Sequence, residues 1–222
     1  MSFGKNLQYF RQLSADMTQE ALAERLNVSR QTISKWEMDA SKPEMDKAIE
    51  LCKVFNCSLD NLFVDEMDRC SDEYSDLRLE EVEAFRYVEH TVVSTDPEAD
   101  AIERVYKYAK DNGDEDPKVI GWDFPNISQE QVNVFNMHGY TAASIIPEGI
   151  NPQGLNIKEQ PKHKYVAIHI DRPFDDPFVT IPGAYKTLMD YMRTNGLDRV
   201  ESGVIPCFET DGEGMDVYMA CK

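Results

Sequence analysis

The chain has 222 residues, of which 41% are hydrophobic and 10% aromatic, and a formal net charge of −18. That apolar content is enough for one large core or two ordinary ones and excludes wholesale disorder. No apolar run approaches the ~18–20 residues of a bilayer span, and Met1 to Arg11 lacks the apolar stretch of a signal peptide, so a cytoplasmic location without membrane contact is expected.

The charge is unevenly distributed. Residues 1–64 carry eight Lys and Arg against nine Asp and Glu, whereas residues 65–222 carry 15 against 32. A near-neutral first part can still turn a local basic face to phosphate, while the acidic remainder repels nucleic acid and attracts cations. Five cysteines (Cys52, Cys57, Cys70, Cys207 and Cys221) contain no C-x-x-C pair, and His90, His138, His163 and His169 are scattered. A disulfide framework, a zinc site and a bound cofactor are therefore not expected, and the thiols read as small hydrophobes.

In chain order, five short helices come first. Phe3, Leu7, Phe10 and Leu13 repeat at helical spacing over Phe3 to Leu13. Thr18 is an N-cap for a second helix ending near Asn27, and Ser29 caps a third, Arg30 to Glu37. After the Lys42-Pro43 loop, Glu44 to Phe55 forms a fourth helix and Ser58 to Phe63 a fifth. The acidic stretch Asp65 to Ser75 reads as a linker between domains at 1–64 and 76–222.

The second part carries an internal duplication. Arg86-Tyr87-Val88 parallels Lys164-Tyr165-Val166. Each run leads to an amphipathic helix stopped by Asn-Gly, at Asn112-Gly113 and Asn195-Gly196. Gly121-Trp122 and Gly203-Val204 open strand-like segments, and Val132 to Phe135 parallels Met215 to Tyr218 as a closing strand. The expected order is strand, helix, strand, strand, twice, in one sheet with both helices on one face. Ile145 to Pro161 reads as a loop between the halves, and Pro173 to Phe178, with Phe174 and Phe178, as another.

Only Asn27-Val28-Ser29 separates the second and third helices, which sets them at a steep angle. Ile33 and Trp36 face inward, and Arg30, Gln31, Ser34 and Lys35 face out. These polar types suit base-edge reading, and Gln19 can reach a phosphate from a helix N-terminus. The run MTQEALAERLNVSRQTISKWE, Met17 to Glu37, with Lys42-Pro43 and Asp46 to Leu62, resembles the lambda-repressor-like (XRE/Cro) helix-turn-helix over residues 3–64. The resemblance implies an all-α five-helix DNA-binding domain with Gln19, Arg30, Gln31, Ser34 and Lys35 at the DNA.

Residues 76–222 resemble the GyrI-like or AraC-type effector-binding domain, through Ala184 to Asn195 with Gly196, the Phe208-Glu209 pair and the closing run Met215 to Lys222. This implies an α+β fold with an antiparallel sheet and a glutamate among aromatics that binds lipophilic, often cationic, compounds. Glu209 matches that position, although Thr210-Asp211 follows where the family has a tyrosine. Trp122, Phe124, Tyr140, Tyr165, Tyr191 and Phe208 are candidate pocket walls. A carboxylate is costly to desolvate alone, and a cation held against rings offsets that cost. In a regular strand Phe208 and Glu209 face opposite sides, so both enter one pocket only if Pro206 marks a bulge.

Together these features predict a ligand-responsive transcription regulator that is not an enzyme. A homodimer would read a pseudo-palindromic double-stranded DNA operator and sense a small-molecule effector. Two alternatives stand beside it: a small-molecule hydrolase using Glu209 with Tyr218 or Tyr191, and an acidic protein-interaction or inhibitor module.

Overall fold

The computed structural model describes residues 3–14, 17–65, 67, 73–152, 154–212 and 214–222. In chain order the elements are α1 (Phe3–Leu13), α2 (Gln19–Leu26), α3 (Arg30–Glu37), α4 (Met45–Phe55), α5 (Leu59–Phe63), β1 (Tyr74–Val82), β2 (Phe85–Ser94), α6 (Pro97–Asp111), β3 (Lys118–Asp123), α7 (Gln129–Asn133), β4 (His138–Ile145), β5 (Lys158–Gln160), β6 (His163–Ile170), α8 (Pro177–Thr194), β7 (Cys207–Thr210) and β8 (Met215–Ala220). They form two compact units: Met1–Tyr74 with Pro177–Arg199 and Cys221–Lys222, and Ser75–Asp176 with Val200–Ala220.

The helical unit follows its caps. The Thr18 hydroxyl accepts from Ala21 N at 3.1 Å and the Ser29 hydroxyl from Thr32 N at 3.1 Å. Ser58 and Asn61 close a reciprocal capping box at the head of α5. Asn27 and Asn56 end α2 and α4 in the left-handed conformation, at φ 52° and 48°. Leu7, Phe10, Leu22, Ile33, Leu51 and Phe55 are fully buried, and the Phe10 and Phe55 rings stack at 5.9 Å. The unit also contains α8, which lies in the second half of the sequence. Tyr9 Oη donates to Asp190 Oδ2 at 3.3 Å, Asn195 Nδ2 to the Leu13 carbonyl at 3.0 Å, and Asn56 Nδ2 to the Arg193 carbonyl at 2.9 Å.

The expected linker falls largely on residues 66 and 68–72, outside the described residues, as does Cys70. Its last two residues, Tyr74 and Ser75, begin β1.

The second unit is built on an eight-stranded sheet in the order β1-β6-β8-β7-β3-β4-β2-β5. The duplication is present: β2-α6-β3-β4 repeats as β6-α8-β7-β8. The halves meet where β3 pairs antiparallel with β7, Ile120 opposite Thr210 and Gly121 opposite Glu209. Three expectations are corrected. Val132 to Phe135 is not a strand; Ser128 and Gln131 close a capping box that starts α7, and the strand begins at His138. Ile145 to Pro161 is interrupted by β5, which pairs with β2. Phe178 is in the first turn of α8 rather than in a loop, because that helix begins at Pro177, a residue suited to a helix start. The expected placement of both helices on one sheet face applies within this unit to α6 alone. Ala101 and Val105 of α6 pack with Val119, Tyr140 and Ala142.

Candidate nucleic-acid and effector sites

The third helix is held from behind and open in front. Ile33 is 0% exposed and Trp36 5%, while Arg30, Gln31 and Lys35 are exposed and Ser34 half-buried. Two contacts fix its C-terminal end. Gly4 of α1 lies so close that a Cβ would fall 2.3 Å from the Glu37 carbonyl oxygen, so a larger residue would push the two helices apart. The Glu37 side chain accepts from Arg11 Nη2 at 3.2 Å and Nε at 2.5 Å, and from Gln19 Nε2 at 2.8 Å. A carboxylate at a helix C-terminus is unfavourable by itself, and the Arg11 guanidinium offsets it. Gln19 therefore spans from the first turn of α2 to the end of α3. Arg11 and Glu37 were not among the sequence candidates, since 26 residues separate them and neither carries a motif signal. The exposed Arg30–Glu20 ion pair, at 3.2 Å, holds Arg30 weakly and leaves it available.

In the sheet unit, strand parity sorts the expected ligand residues. One face carries Tyr87, Ile120, Tyr165, Phe208 and Tyr218 in a single cluster, with Trp122 packed against it. The Phe208 and Tyr218 rings stack at 4.5 Å, and Tyr165 meets Phe208 edge-on at 5.3 Å. Beside this cluster a cavity of about 380 Å³ opens, with Tyr87, Trp122 and Phe124 in its walls. Gln160, 2% exposed, fixes its floor: it donates to Tyr165 Oη at 3.0 Å and accepts from Ile205 N at 2.8 Å, while Tyr165 Oη donates to the Ile205 carbonyl at 2.8 Å.

Glu209 does not line this cavity. β7 is regular here, Phe208 pairing with Tyr218 and Glu209 with Val217, so no bulge at Pro206 turns Glu209 to the side of Phe208. Glu209 sits on the α6 face with Tyr140, whose ring lies over Gly121. Burial first, and then the Glu209 charge, push the Tyr140 phenol well above its ordinary pKa. Tyr191 lies on α8 in the helical unit, and Tyr218 Oη, on the opposite face, accepts from Arg78 Nη2 at 3.0 Å. Within the sheet unit the proton-transfer pair of Glu209 with Tyr218 is therefore not assembled. Of the expected set, Trp122 and Phe124 line the cavity, Tyr165 and Phe208 pack beside it, and Glu209, Tyr140 and Tyr191 lie elsewhere.

Glu89 and Lys158 line the cavity on the side of Tyr87, whereas Glu159 pairs with Arg86 across β2 and β5 and so faces the other side of the strand. Lys158 donates to Glu89 at 2.5 Å, and that bond is the main cause raising the lysine pKa. The Glu89 carboxylate, paired with the Lys158 ammonium, therefore stands beside three aromatic rings. Glu89 was not among the sequence candidates; its alternation with Tyr87 and Thr91 is the signal that places it on their face. Lys158 and Glu159 fell in a segment read as loop. Among the described residues no group of His, Cys, Asp and Glu is arranged to hold a metal, and no helix is long and apolar enough to cross a membrane.

A helix-turn-helix family model matches residues 7–62. The HTH-type transcriptional activator BcrR of Enterococcus faecalis is 42% identical over 62 residues, 28% of this chain and 30% of that protein. HTH-type transcriptional regulator ImmR of Bacillus subtilis is 39% identical over 62 residues, 48% of its length. An uncharacterized HTH-type transcriptional regulator of Methanocaldococcus jannaschii is 39% identical over 62 residues, 92% of its length. The chain thus spans less than half of the first two relatives and nearly all of the third. A solved EcmrR–DNA complex aligns over 96% of this chain and 79% of its own, at TM-score 0.47 and 15% identity. The exposed, capped third helix and the three sequence relatives agree: the chain belongs to the helix-turn-helix family of transcriptional regulators.

Proposed function

We propose that the protein is an effector-responsive transcription regulator that acts in the cytoplasm as a homodimer and has no catalytic step of its own. Arg30, Gln31, Ser34 and Lys35 read base edges in the major groove, and Gln19 contacts phosphate. A homodimer follows because one such domain covers too little DNA for firm specificity. The effector occupies the cavity walled by Tyr87, Trp122 and Phe124, and is a lipophilic aromatic cation. The single observation that carries the ligand class is the Glu89 carboxylate in the cavity wall beside those rings. Each ring facing a cation adds roughly 0.5–2 kcal/mol. The cavity is within the usual volume of small-molecule sites, about 300–1,000 Å³.

The test compares N-methylquinolinium with neutral quinoline, read by Trp122 fluorescence in wild type and Glu89→Gln. Removing the charge should weaken the cation roughly 10-fold or more and the neutral compound little, as expected for about 1.4 kcal/mol. Equal loss for both ligands sinks the charge role. In parallel, Arg30→Ala with Gln31→Ala should abolish preference for an operator selected from random DNA and leave effector affinity unchanged.

A further inference from the structure

The way α4 ends brings two cysteines together. Asn56 is left-handed, and the Cys57 N–H reaches back 3.0 Å to the Cys52 carbonyl. This closure sets the residue after the left-handed position against a residue of the last helical turn, where helices ordinarily place an apolar pair. Here both positions are cysteine, so the backbone closure sets the two side chains on the same side of the helix end. Both are free and half-buried, so a small reagent can reach them. Neither belongs to the third helix or to the cavity.

We propose that Cys52 and Cys57 form a dithiol site that takes a trivalent arsenical, arsenite or an organoarsenical. The reaction is a condensation. Two S–As bonds form, two As–OH bonds break, and each thiol proton leaves with a hydroxide as water. Arsenic remains trivalent, and no oxidant is required. Neighbouring thiols suit pyramidal arsenic, which takes two adjacent sulfurs on one side. Linear mercury(II) requires them apart. Peroxide oxidation and alkylation run through the thiolate. Burial pushes both thiols up, Cys57 to about 12, which slows those routes. The condensation starts and ends with neutral species and is not penalised in this way. The site rests on the helix cap alone and is independent of the effector reading.

The experiment uses the full chain with phenylarsine oxide in excess 2-mercaptoethanol, which strips single-thiol adducts but not a chelate. Native mass spectrometry should show one arsenical per chain, and digestion should place it on the segment holding Cys52 and Cys57. Cys52→Ser and Cys57→Ser, each checked for retained helicity, should bind roughly 100-fold more weakly, the loss expected when the second bond is no longer intramolecular. Affinity kept within a few-fold in either variant, or arsenic mapped to Cys207, Cys221 or Cys70 in the wild type, overturns the proposal. The wild-type map decides the matter even if a variant fails to fold.

Discussion

Tyr9 on α1 donates its phenolic hydrogen to Oδ2 of Asp190 on α8, 181 residues away. Both are nearly buried, at 8% and 7% exposure. Asp190 Oδ1 accepts from Arg193 Nη2 at 2.7 Å. A buried carboxylate left with one partner fewer retains its desolvation cost, so this bond matters more than its 3.3 Å length suggests. Tyr9→Phe preserves the ring and removes only the donor. The variant should lose roughly 1–2 kcal/mol of unfolding free energy, read as a lower denaturant midpoint at unchanged slope. A loss below a few tenths of a kcal/mol would mean that α8 is not held at this point.

The same carboxyl makes stability depend on pH. Burial, the largest influence, raises the Asp190 pKa above its ordinary 3.8, although Arg193, Lys186 and Tyr9 pull it down. The folded protein therefore holds this proton to a higher pH than the unfolded chain does. Below 3.8 both states are protonated and the group costs nothing. As pH rises above 3.8 the unfolded chain ionises first, and folding loses stability until the folded carboxyl has ionised too. Asp190→Asn removes that slope. The stability difference, Asn variant minus wild type, should rise above pH 3.8 and flatten once the folded carboxyl has ionised. Subtracting the two proteins cancels the repulsion common to a chain of net charge −18. A difference that falls as pH rises would mean that the Arg193 pairing outweighs burial.

The helical half was legible because its signals are local. Thr18, Ser29 and Ser58 each cap the helix their spacing announces, and Ile33 and Trp36 bury the side that periodicity assigns them. Less of the sheet half was legible. The start of β1, Tyr74 and Ser75, fell in the stretch read as linker, and its run Ser75-Asp76-Leu77-Arg78-Leu79-Glu80-Glu81 is mostly polar and charged, as an edge strand tolerates. α7 sits in a run with strand-like alternation, yet a four-residue capping box overrides it. Glu209 was assigned from the resemblance to the effector-binding family, and the two-residue period of an unbulged strand turns it away from Phe208. Glu89 and Lys158 meet across β2 and β5, a pairing 69 residues apart that no local pattern announces.

Gly121 shows how one small residue positions the α6 side of the sheet. A Cβ there would lie 2.1 Å from Tyr140 Oη and 2.5 Å from its Cζ, in a β3–β4 register that sets Gly121 beside Ala142. Tyr140 is 7% exposed, so its ring has little free space into which to swing. Gly121→Ala should therefore cost roughly 1–3 kcal/mol by overpacking, although alanine by itself suits a strand better than glycine. Tyr140→Leu frees the same space and should cost roughly 2 kcal/mol or more for the lost aromatic area and packing. The double variant should be clearly less damaged than the sum of the two, by about 1 kcal/mol or more, because the clash exists only when both the methyl and the ring are present. Strict additivity in the double-mutant cycle would mean that the phenol ring does not occupy the place left by the missing side chain.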